Sequence, residues 1–192
     1  MAGQRIFAAI DLSDKARQVC SQHVEAIRRE FPSIRIGWVP SEKLHITLKF
    51  LGNAEPHLVE ELRNHLSGIA LRHENFSLRV STTGVFPSPN RPRILWIGIT
   101  EPSGMIQSIY RDIENAGLEL GFKPEERSFH PHVTIGRIRQ PESSRKLAEA
   151  HINAQIEPIE FEVRQLVLYE SKLLPSGSVY SIIFTAKIRG AI

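Results

Sequence analysis

The sequence has 192 residues, of which 41% are hydrophobic and 23% charged, with a formal net charge of +3. This length and composition suit one globular domain or two small lobes, and they exclude a disordered or fibrous chain. The first residues contain no apolar run long enough for a signal peptide or a membrane span, so we expect a cytoplasmic protein with no membrane attachment. Cys20, the only cysteine, allows no intramolecular disulfide, and its place in a helical apolar stripe predicts a core residue.

The first half of the chain predicts a strand-helix-strand-helix-strand unit. Alternating apolar residues predict a strand over residues 5–12, and Ser13 is suited to cap the helix that follows. A second strand is predicted over residues 44–51. Pro56 is typical of a helix start, and residues 76–83 predict the third strand.

The second half repeats this order of elements. Its predicted elements are a strand over 94–99, a helix over 103–120, a strand over 130–138, a helix over 143–150 and a strand over 159–169. Corresponding positions of the two halves are 87 to 90 residues apart, which indicates an internal duplication. We therefore expect one domain over 1–192 in which two pseudo-symmetric lobes, residues 1–83 and 94–170, face each other across a cleft. A turn at Pro175, Ser176 and Gly177 precedes a last strand over 179–188, which should complete one sheet.

Two of the predicted strands share one motif, a histidine followed two positions later by a threonine. His45 and Thr47 lie in LHITLKF, and His132 and Thr134 lie in FHPHVTIGR. Side chains two apart on a strand point to the same face, so each pair faces the cleft while its apolar neighbours face the core. A lone histidine of this kind is usually a solvent-facing polar residue. Chance predicts about a quarter of one such motif at this composition, so two at matching places indicate a shared function.

Two histidines on one cleft suit phosphodiester chemistry. That reaction needs a base for the attacking oxygen and an acid for the leaving oxygen, and imidazole holds either protonation state near neutral pH. The threonine hydroxyls can donate to the phosphoryl oxygens, on which negative charge builds in the transition state.

Five segments of the chain together resemble a known family. They are RIFAAIDL, WVPSEKLHITLKFLG, GVFPSPNRPRILWIGI, SFHPHVTIGRIR and LYESKLLPSGSVY. They are similar to the two-histidine (2H) phosphoesterases, and within these to the RNA 2',3'-cyclic phosphodiesterases, also called 2'-5' RNA ligases. The resemblance implies an α+β, bilobal duplicated fold in which two antiparallel sheets line a central cleft with the helices on the outside.

The resemblance also implies a reaction, with no metal and no cofactor. The expected partners are RNA ends or nucleotides that carry a 2',3'-cyclic phosphate, which a monomer would hydrolyse to a 2'-phosphate. By analogy His45 protonates the leaving O3' and His132 activates water. The reverse reaction would join a 2'-hydroxyl to a cyclic phosphate end, as a 2'-5' ligase does.

Three further residues are candidates for substrate binding. Phe50 and Arg137 each follow a motif histidine by five positions, where the family resemblance implies stacking and cation-π contact with a nucleobase. Five is an odd number, so a regular strand would turn both side chains away from the cleft, and only a bulge or a strand end would bring them back. His130 is a candidate rim residue that touches RNA.

Other interpretations stay open at this point. A catalytically silent RNA-binding or nucleotide-binding module would use the same cleft. His130 and His132 have a spacing that can bind zinc, although two ligands do not make a site. A basic rim is predicted from Lys43, Lys49, Arg91 and Arg93. The remaining histidines are expected on the surface: His23, His57, His65, His73 and His151.

Overall fold

The protein is described here by a computed structural model that covers residues 3–175 and 177–190. Within these residues the strands are β1 Gln4–Asp11, β2 Ile36–Trp38, β3 His45–Ala54, β4 Phe76–Phe86, β5 Ile94–Thr100, β6 His132–Ile138, β7 Ile159–Val163, β8 Gln165–Leu174 and β9 Gly177–Lys187. The α-helices are α1 Asp14–Glu30, α2 Pro56–Arg72, α3 Met105–Glu119 and α4 Arg145–Asn153. Ser176, at the centre of the predicted turn, lies outside the described residues.

The predicted elements are present, with two differences. The short strand β2 has no periodic signal because it has only three residues. The predicted strand over 159–169 is two strands that meet at Arg164, since β7 pairs with β4 whereas β8 pairs with β1. A single stretch of strand-like sequence therefore serves two distant parts of the sheet.

All the described strands belong to one antiparallel sheet, in which neighbouring strands are often not consecutive in the sequence. Its order is β7-β4-β5-β6-β3-β1-β8-β9, and β2 pairs with β6 beside this path. The family resemblance implies two sheets, whereas here β3 and β6 lie side by side and are joined by one pair, Ile46 with Val133. The two motif strands thus form the seam of a continuous sheet.

The sheet order also differs from the predicted lobes of residues 1–83 and 94–170. β4, from the first half, pairs with β5 of the second half, and β8, from the second half, pairs with β1 of the first. The order reads the same from either end when β3 is matched with β6, β1 with β5, β8 with β4 and β9 with β7. β4 and β8, the last strands of the two predicted units, therefore each pair with a strand of the other half of the chain.

The helices bury one apolar face each in a single core. Ser13 caps α1 as predicted, because its side chain accepts a hydrogen bond of 3.2 Å from the backbone N–H of Ala16. Cys20 is buried on the inner face of α1, and burial raises the pKa of its thiol to about 12. Ile46 and Val133, the strand residues between the motif positions, belong to the same core. No helix of the described residues is both long and apolar enough to cross a membrane.

Candidate active site

β3 contains a bulge directly after its motif. In the pairing of β1 with β3, Ala8 lies opposite Lys49. The next residue of β1, Ala9, lies opposite Thr47, so Leu48 is an extra residue in β3. Such a bulge reverses the alternation of side chains beyond it.

β6 contains a bulge at the equivalent position. Leu95 of β5 lies opposite Gly136, and Trp96 lies opposite Thr134. The residue between them, Ile135, is therefore extra. It follows the motif histidine by three positions, as the bulge residue of β3 does, so the two strands share the same irregularity.

The bulges place Phe50 and Arg137 on the same face as the motif residues. Both side chains lie an odd number of residues from their histidine, and each bulge supplies the extra residue that turns them back. Phe50 is 60% exposed, and Arg137 is exposed as well. Each motif strand therefore contains the bulge that is needed for Phe50 or Arg137 to face the cleft.

The ring of His45 is held by two hydrogen bonds. Its Nδ1 lies 2.7 Å from the backbone oxygen of Lys43, and its Nε2 lies 3.1 Å from Oγ1 of Thr47. A carbonyl oxygen only accepts, so Nδ1 carries the proton and donates it. In the neutral ring Nε2 is then the acceptor, and the Thr47 hydroxyl donates to it.

His132 shares the first of these two hydrogen bonds. Its Nδ1 donates to the backbone oxygen of His130, at 2.6 Å. In both motifs the carbonyl two residues upstream fixes the tautomer, so that the neutral imidazole presents an unprotonated Nε2. Neither ring depends on a carboxylate for its orientation.

The two motifs face each other across the seam of the sheet. Ile46 of β3 lies opposite Val133 of β6, and both side chains are buried. The motif residues on either side of them point to the other face. Continuing the register by one residue places His45 opposite Thr134 and the second histidine opposite the other threonine. A charge on His132 is one of the causes that lower the pKa of His45, which agrees with this proximity.

Aromatic side chains surround His45. Its ring centroid lies 4.9 Å from that of Phe7, 5.5 Å from that of Tyr180 and 6.1 Å from that of Tyr169. Phe7 also contacts Phe50, with 5.6 Å between the ring centroids. The histidine therefore lies at the edge of an apolar wall that continues to Phe50.

His132 has an equivalent but smaller aromatic wall. Its ring lies edge-on to Phe86 at 5.2 Å, and 6.1 Å from Trp96. The two walls differ in register, because Phe7 lies opposite Phe50 on β1 whereas Trp96 lies opposite Thr134 on β5. Sequence reasoning missed these aromatic residues, because they come from neighbouring strands that are distant in the sequence.

Burial is the main influence on both motif histidines. It lowers the pKa of His45 and that of His132, while the hydrogen bonds to Lys43 and His130 oppose the shift. Asp11, opposite His45 on β1, also raises the pKa of that ring. Both rings consequently favour the neutral form in the free protein.

Asp11 is itself held by Tyr169. The phenolic O–H donates to Oδ1 of Asp11 at 2.6 Å. Burial and this hydrogen bond together raise the pKa of Tyr169, so the phenol stays protonated. This hydrogen bond holds the Asp11 side chain in place beside the first motif.

The structure corrects two surface predictions. Lys49, predicted in a basic rim, is 4% exposed, and its Nζ donates to Oε1 of Glu114 at 2.7 Å and to the backbone oxygen of Lys123 at 3.0 Å. The bulge turns this side chain toward α3 instead of the solvent. His73 and His151, predicted on the surface, are buried, because each finds polar partners inside the fold.

No group of three or more His, Cys, Asp or Glu side chains suited to a metal ion occurs in residues 3–175 and 177–190. His130 is exposed two residues before β6. Nδ1 of His132 donates its proton to the backbone oxygen of His130. If this pair bound zinc, only Nε2 of His132 would be free to be a ligand.

Comparison with known proteins identifies the family. A profile of the 2'-5' RNA ligase superfamily matches residues 16–173. The RNA 2',3'-cyclic phosphodiesterase of Thermotoga maritima is 31% identical over 98% of this chain and 97% of its own. That of Methanothermobacter thermautotrophicus is 31% identical over 92% of this chain and 95% of its own.

Solved structures show the same fold. TT0787 of Thermus thermophilus superposes with a TM-score of 0.78 at 24% identity, over 97% of this chain and 98% of its own. LigT of E. coli, in complex with 3'-AMP, gives a TM-score of 0.75 at 23% identity, over 97% of this chain and 98% of its own. Since the profile covers most of the sequence and the relatives align over nearly all of it, the chain belongs to the 2'-5' RNA ligase superfamily.

Proposed function

We propose that this protein is an RNA 2',3'-cyclic phosphodiesterase that hydrolyses a terminal 2',3'-cyclic phosphate to a 2'-phosphate. The observation that carries the proposal is the matched orientation of His45 and His132, whose Nδ1 atoms are both bound to a backbone carbonyl. Neither Nε2 is bound by a backbone group, and a phosphate at the seam between β3 and β6 would replace the Thr47 hydroxyl at Nε2 of His45. The relatives named RNA 2',3'-cyclic phosphodiesterase support the same substrate class.

The proposed reaction divides acid and base between the two rings. Neutral His132 takes a proton from water at Nε2, and the oxygen of that water attacks phosphorus. The bond from phosphorus to O3' breaks, and protonated His45 gives its Nε2 proton to O3'. Burial of His132 favours the neutral form that a base requires. The anionic substrate favours protonation of His45, which the nearby Asp11 carboxylate supports.

The two threonines are proposed to bind the phosphoryl oxygens. In the free protein the Thr47 hydroxyl lies 3.1 Å from Nε2 of His45, so a phosphate bound at that nitrogen would lie within reach of the same hydroxyl. Thr134 holds the equivalent place beside His132. Donors fixed before the reaction stabilise the charge that develops in the transition state.

Phe50, Arg137 and His130 are proposed to bind the rest of the terminal nucleotide. Phe50 and Arg137 lie on the cleft face beyond the two bulges and are well exposed, which suits stacking and cation-π contact with a base. His130 is exposed two residues before β6 and would touch RNA at the rim. The complex of LigT with 3'-AMP shows that a protein with this fold can bind a nucleotide.

We further propose that the domain is a duplication of two pseudo-symmetric halves and acts as a monomer in the cytoplasm. The symmetric strand order and the matched bulges support the duplication. Both motifs come from one chain, so a monomer holds every residue of the proposed site. The proposed RNA substrate supports the location, and ligation in the reverse direction would use the same site.

The test is turnover of a nucleoside 2',3'-cyclic phosphate and of an oligonucleotide with a cyclic phosphate end. Single His45→Ala and His132→Ala substitutions should each lower kcat by at least about 10² while the protein stays folded. His57→Ala, on the exposed start of α2, is the matched control. Full activity in either motif variant would overturn the proposal, and a 3'-phosphate product would overturn the assignment of the leaving oxygen.

Two other functions give different results in the same assay. A silent binding module would bind the oligonucleotide without turnover, and binding alone requires neither an acid nor a base. A metallohydrolase that uses His130 and His132 would lose activity in the presence of a chelator, whereas the proposed reaction is insensitive to one.

A further inference from the structure

A second basic site lies beyond the proposed active site, at the far end of β6. There a pocket of about 390 Å³ is lined by three arginines, Arg28, Arg35 and Arg139, and by the aromatic residues Phe31 and Trp38. None of them takes part in the site already described. Phe31 and Trp38 pack against the core, so the arginines supply the charged part of this pocket.

The ladder between β2 and β6 continues into this pocket. Gly37 lies opposite Arg137, and the backbone N–H of Arg139 donates to the backbone oxygen of Arg35 at 3.4 Å. Because alternate residues of a strand share a face, Arg139 follows Arg137 on the cleft side, and Arg35 lies across from it. Arg139 and Arg35 lie one residue beyond β6 and β2, so three arginines, Arg137, Arg139 and Arg35, follow His132 along this end of the sheet.

Within the described residues, no carboxylate pairs with these three arginines. In the part of the chain that the structure describes, no Asp or Glu oxygen lies within 4.0 Å of the guanidinium nitrogens of Arg35, Arg137 or Arg139. Arg28 differs, since its NH1 lies 2.8 Å from Glu25. Arg35 and Arg139 are both exposed. Unpaired arginines at the edge of a pocket are suited to phosphate, which they bind with two parallel hydrogen bonds.

The distance along β6 is suited to a strand of several nucleotides. From His132 to Arg139 the chain advances seven residues, or roughly 23 Å in extended conformation. A cyclic phosphate occupies the 3' end of an RNA, so the rest of the strand must leave the active site on its 5' side. A single-stranded RNA is a chain of phosphates, which matches exposed arginines that follow one another away from His132.

We propose that Arg35 and Arg139 form a distal phosphate site that binds the RNA backbone on the 5' side of the cyclic phosphate. The site would make an RNA strand a better substrate than a mononucleotide. This inference rests on the proposed function, because it assumes that the cyclic end lies at His45 and His132.

The test compares two substrates in a double variant, Arg35→Gln with Arg139→Gln. For an oligonucleotide of about ten nucleotides with a cyclic phosphate end, kcat/KM should fall at least about tenfold at low salt. For a nucleoside 2',3'-cyclic phosphate it should stay within about twofold, since that substrate does not reach the pocket. Arg79→Gln is the matched control, an exposed arginine on β4 that pairs with Glu160 at 3.4 Å.

Salt dependence gives a second measurement. Loss of two phosphate contacts should make the slope of log kcat/KM against log salt shallower by about 1.4 for the oligonucleotide. Equal losses for both substrates, or no loss for either, would overturn the distal site. Thermal unfolding of the double variant checks that the fold is retained.

A binding assay separates this inference from the proposed reaction. An oligonucleotide that ends in a 2'-phosphate should bind the double variant at least about tenfold more weakly than the unchanged protein, whether or not turnover occurs. Failure of the unchanged protein to hydrolyse any cyclic phosphate would overturn the proposed function alone. Unchanged oligonucleotide affinity in the double variant would overturn the distal site alone.

Discussion

At the scale of single residues, one arrangement of protons satisfies both hydrogen bonds of neutral His45. The ring donates from Nδ1 to Lys43 and accepts at Nε2 from Thr47. A protonated ring would reverse the second bond, and the threonine hydroxyl would become free to donate elsewhere. Thr47 is therefore able to follow the protonation of its histidine.

This geometry predicts the effect of two substitutions of Thr47. Thr47→Val keeps the shape and removes the hydroxyl, so kcat should fall by about 10² to 10³, the range observed for loss of a transition-state donor. Thr47→Ser keeps the donor and should retain activity within about tenfold. Steady-state kinetics with a nucleoside 2',3'-cyclic phosphate measure both effects. Equal activity of the valine and serine variants would contradict a role for the hydroxyl.

The burial of both rings predicts an acid-shifted pH profile. Burial lowers the pKa of His45 and of His132 from the ordinary 6.5. The proposed reaction needs His45 protonated and His132 neutral, so kcat/KM should follow a bell whose maximum lies below pH 6.5. The kcat maximum should lie at higher pH, because bound phosphate favours the protonated rings. A profile that is flat from about pH 5 to 9 would contradict the pair.

At the scale of elements, the two bulges decide which residues join the motifs. The sequence shows the odd spacing of Phe50 and Arg137 from their histidines, and it therefore poses the question of a bulge. It contains no local signal that locates Leu48 and Ile135 as the extra residues, because both are ordinary buried strand residues. Bulges are set by pairing with neighbouring strands, which is a property of the assembled sheet.

The bulges predict that Phe50 and Arg137 serve binding more than stability. Phe50→Ala should raise KM for a nucleoside cyclic phosphate about tenfold, because base stacking is worth about 1–3 kcal/mol. Arg137→Ala should have a similar effect on KM, with a smaller effect on kcat. Leu51→Ala is the contrasting control, since that neighbour is 8% exposed and should cost stability instead. A KM unchanged in both variants would show that neither side chain contacts substrate.

The same comparison shows how far sequence reasoning reaches. The motifs, the order of elements and the Ser13 cap of α1 follow from local patterns, and the structure contains them. Lys49 is wrong as a rim residue because its orientation depends on the bulge at its neighbour Leu48. The aromatic residues around the two histidines come from distant strands, so only the sheet order brings them to the motifs.

At the scale of the whole molecule, a pair of inner histidines links four elements. His151 of α4 donates from Nε2 to the backbone oxygens of Gly84 and Trp96, both at 3.1 Å, on β4 and β5. Its Nδ1 is then an acceptor, and His23 of α1 donates to it from Nε2 at 2.9 Å. This hydrogen bond requires the neutral form of His151, because a second proton on its Nδ1 would point at the N–H of His23.

This linked pair predicts that the fold loses stability in mild acid. Burial and the neighbouring His151 lower the pKa of His23 from 6.5 to about 4, and burial lowers the pKa of His151 as well. The unfolded state therefore binds more protons below pH 6.5, so stability is full above that pH and falls toward pH 4. The loss should be on the order of 2 kcal/mol after allowance for solvent screening.

Urea unfolding at pH 7, 5.5 and 4.5 would measure this loss. His23→Gln replaces the titrating donor by an amide that can still donate, so its stability should depend less on pH. His57→Gln, at an exposed position, should behave like the unchanged protein. An equal pH dependence in the His23 variant and the unchanged protein would exclude the pair as the cause.

The exchange of third strands between the halves has a consequence for how the chain folds as it is made. His45 is translated early, but Tyr169 and Tyr180, which complete its surroundings, lie on β8 and β9 near the other end. β1 must wait for β8 before its second edge is paired, so the first half of the chain emerges with an unpaired strand edge. The surroundings of the first motif are therefore complete only after β9 has been made.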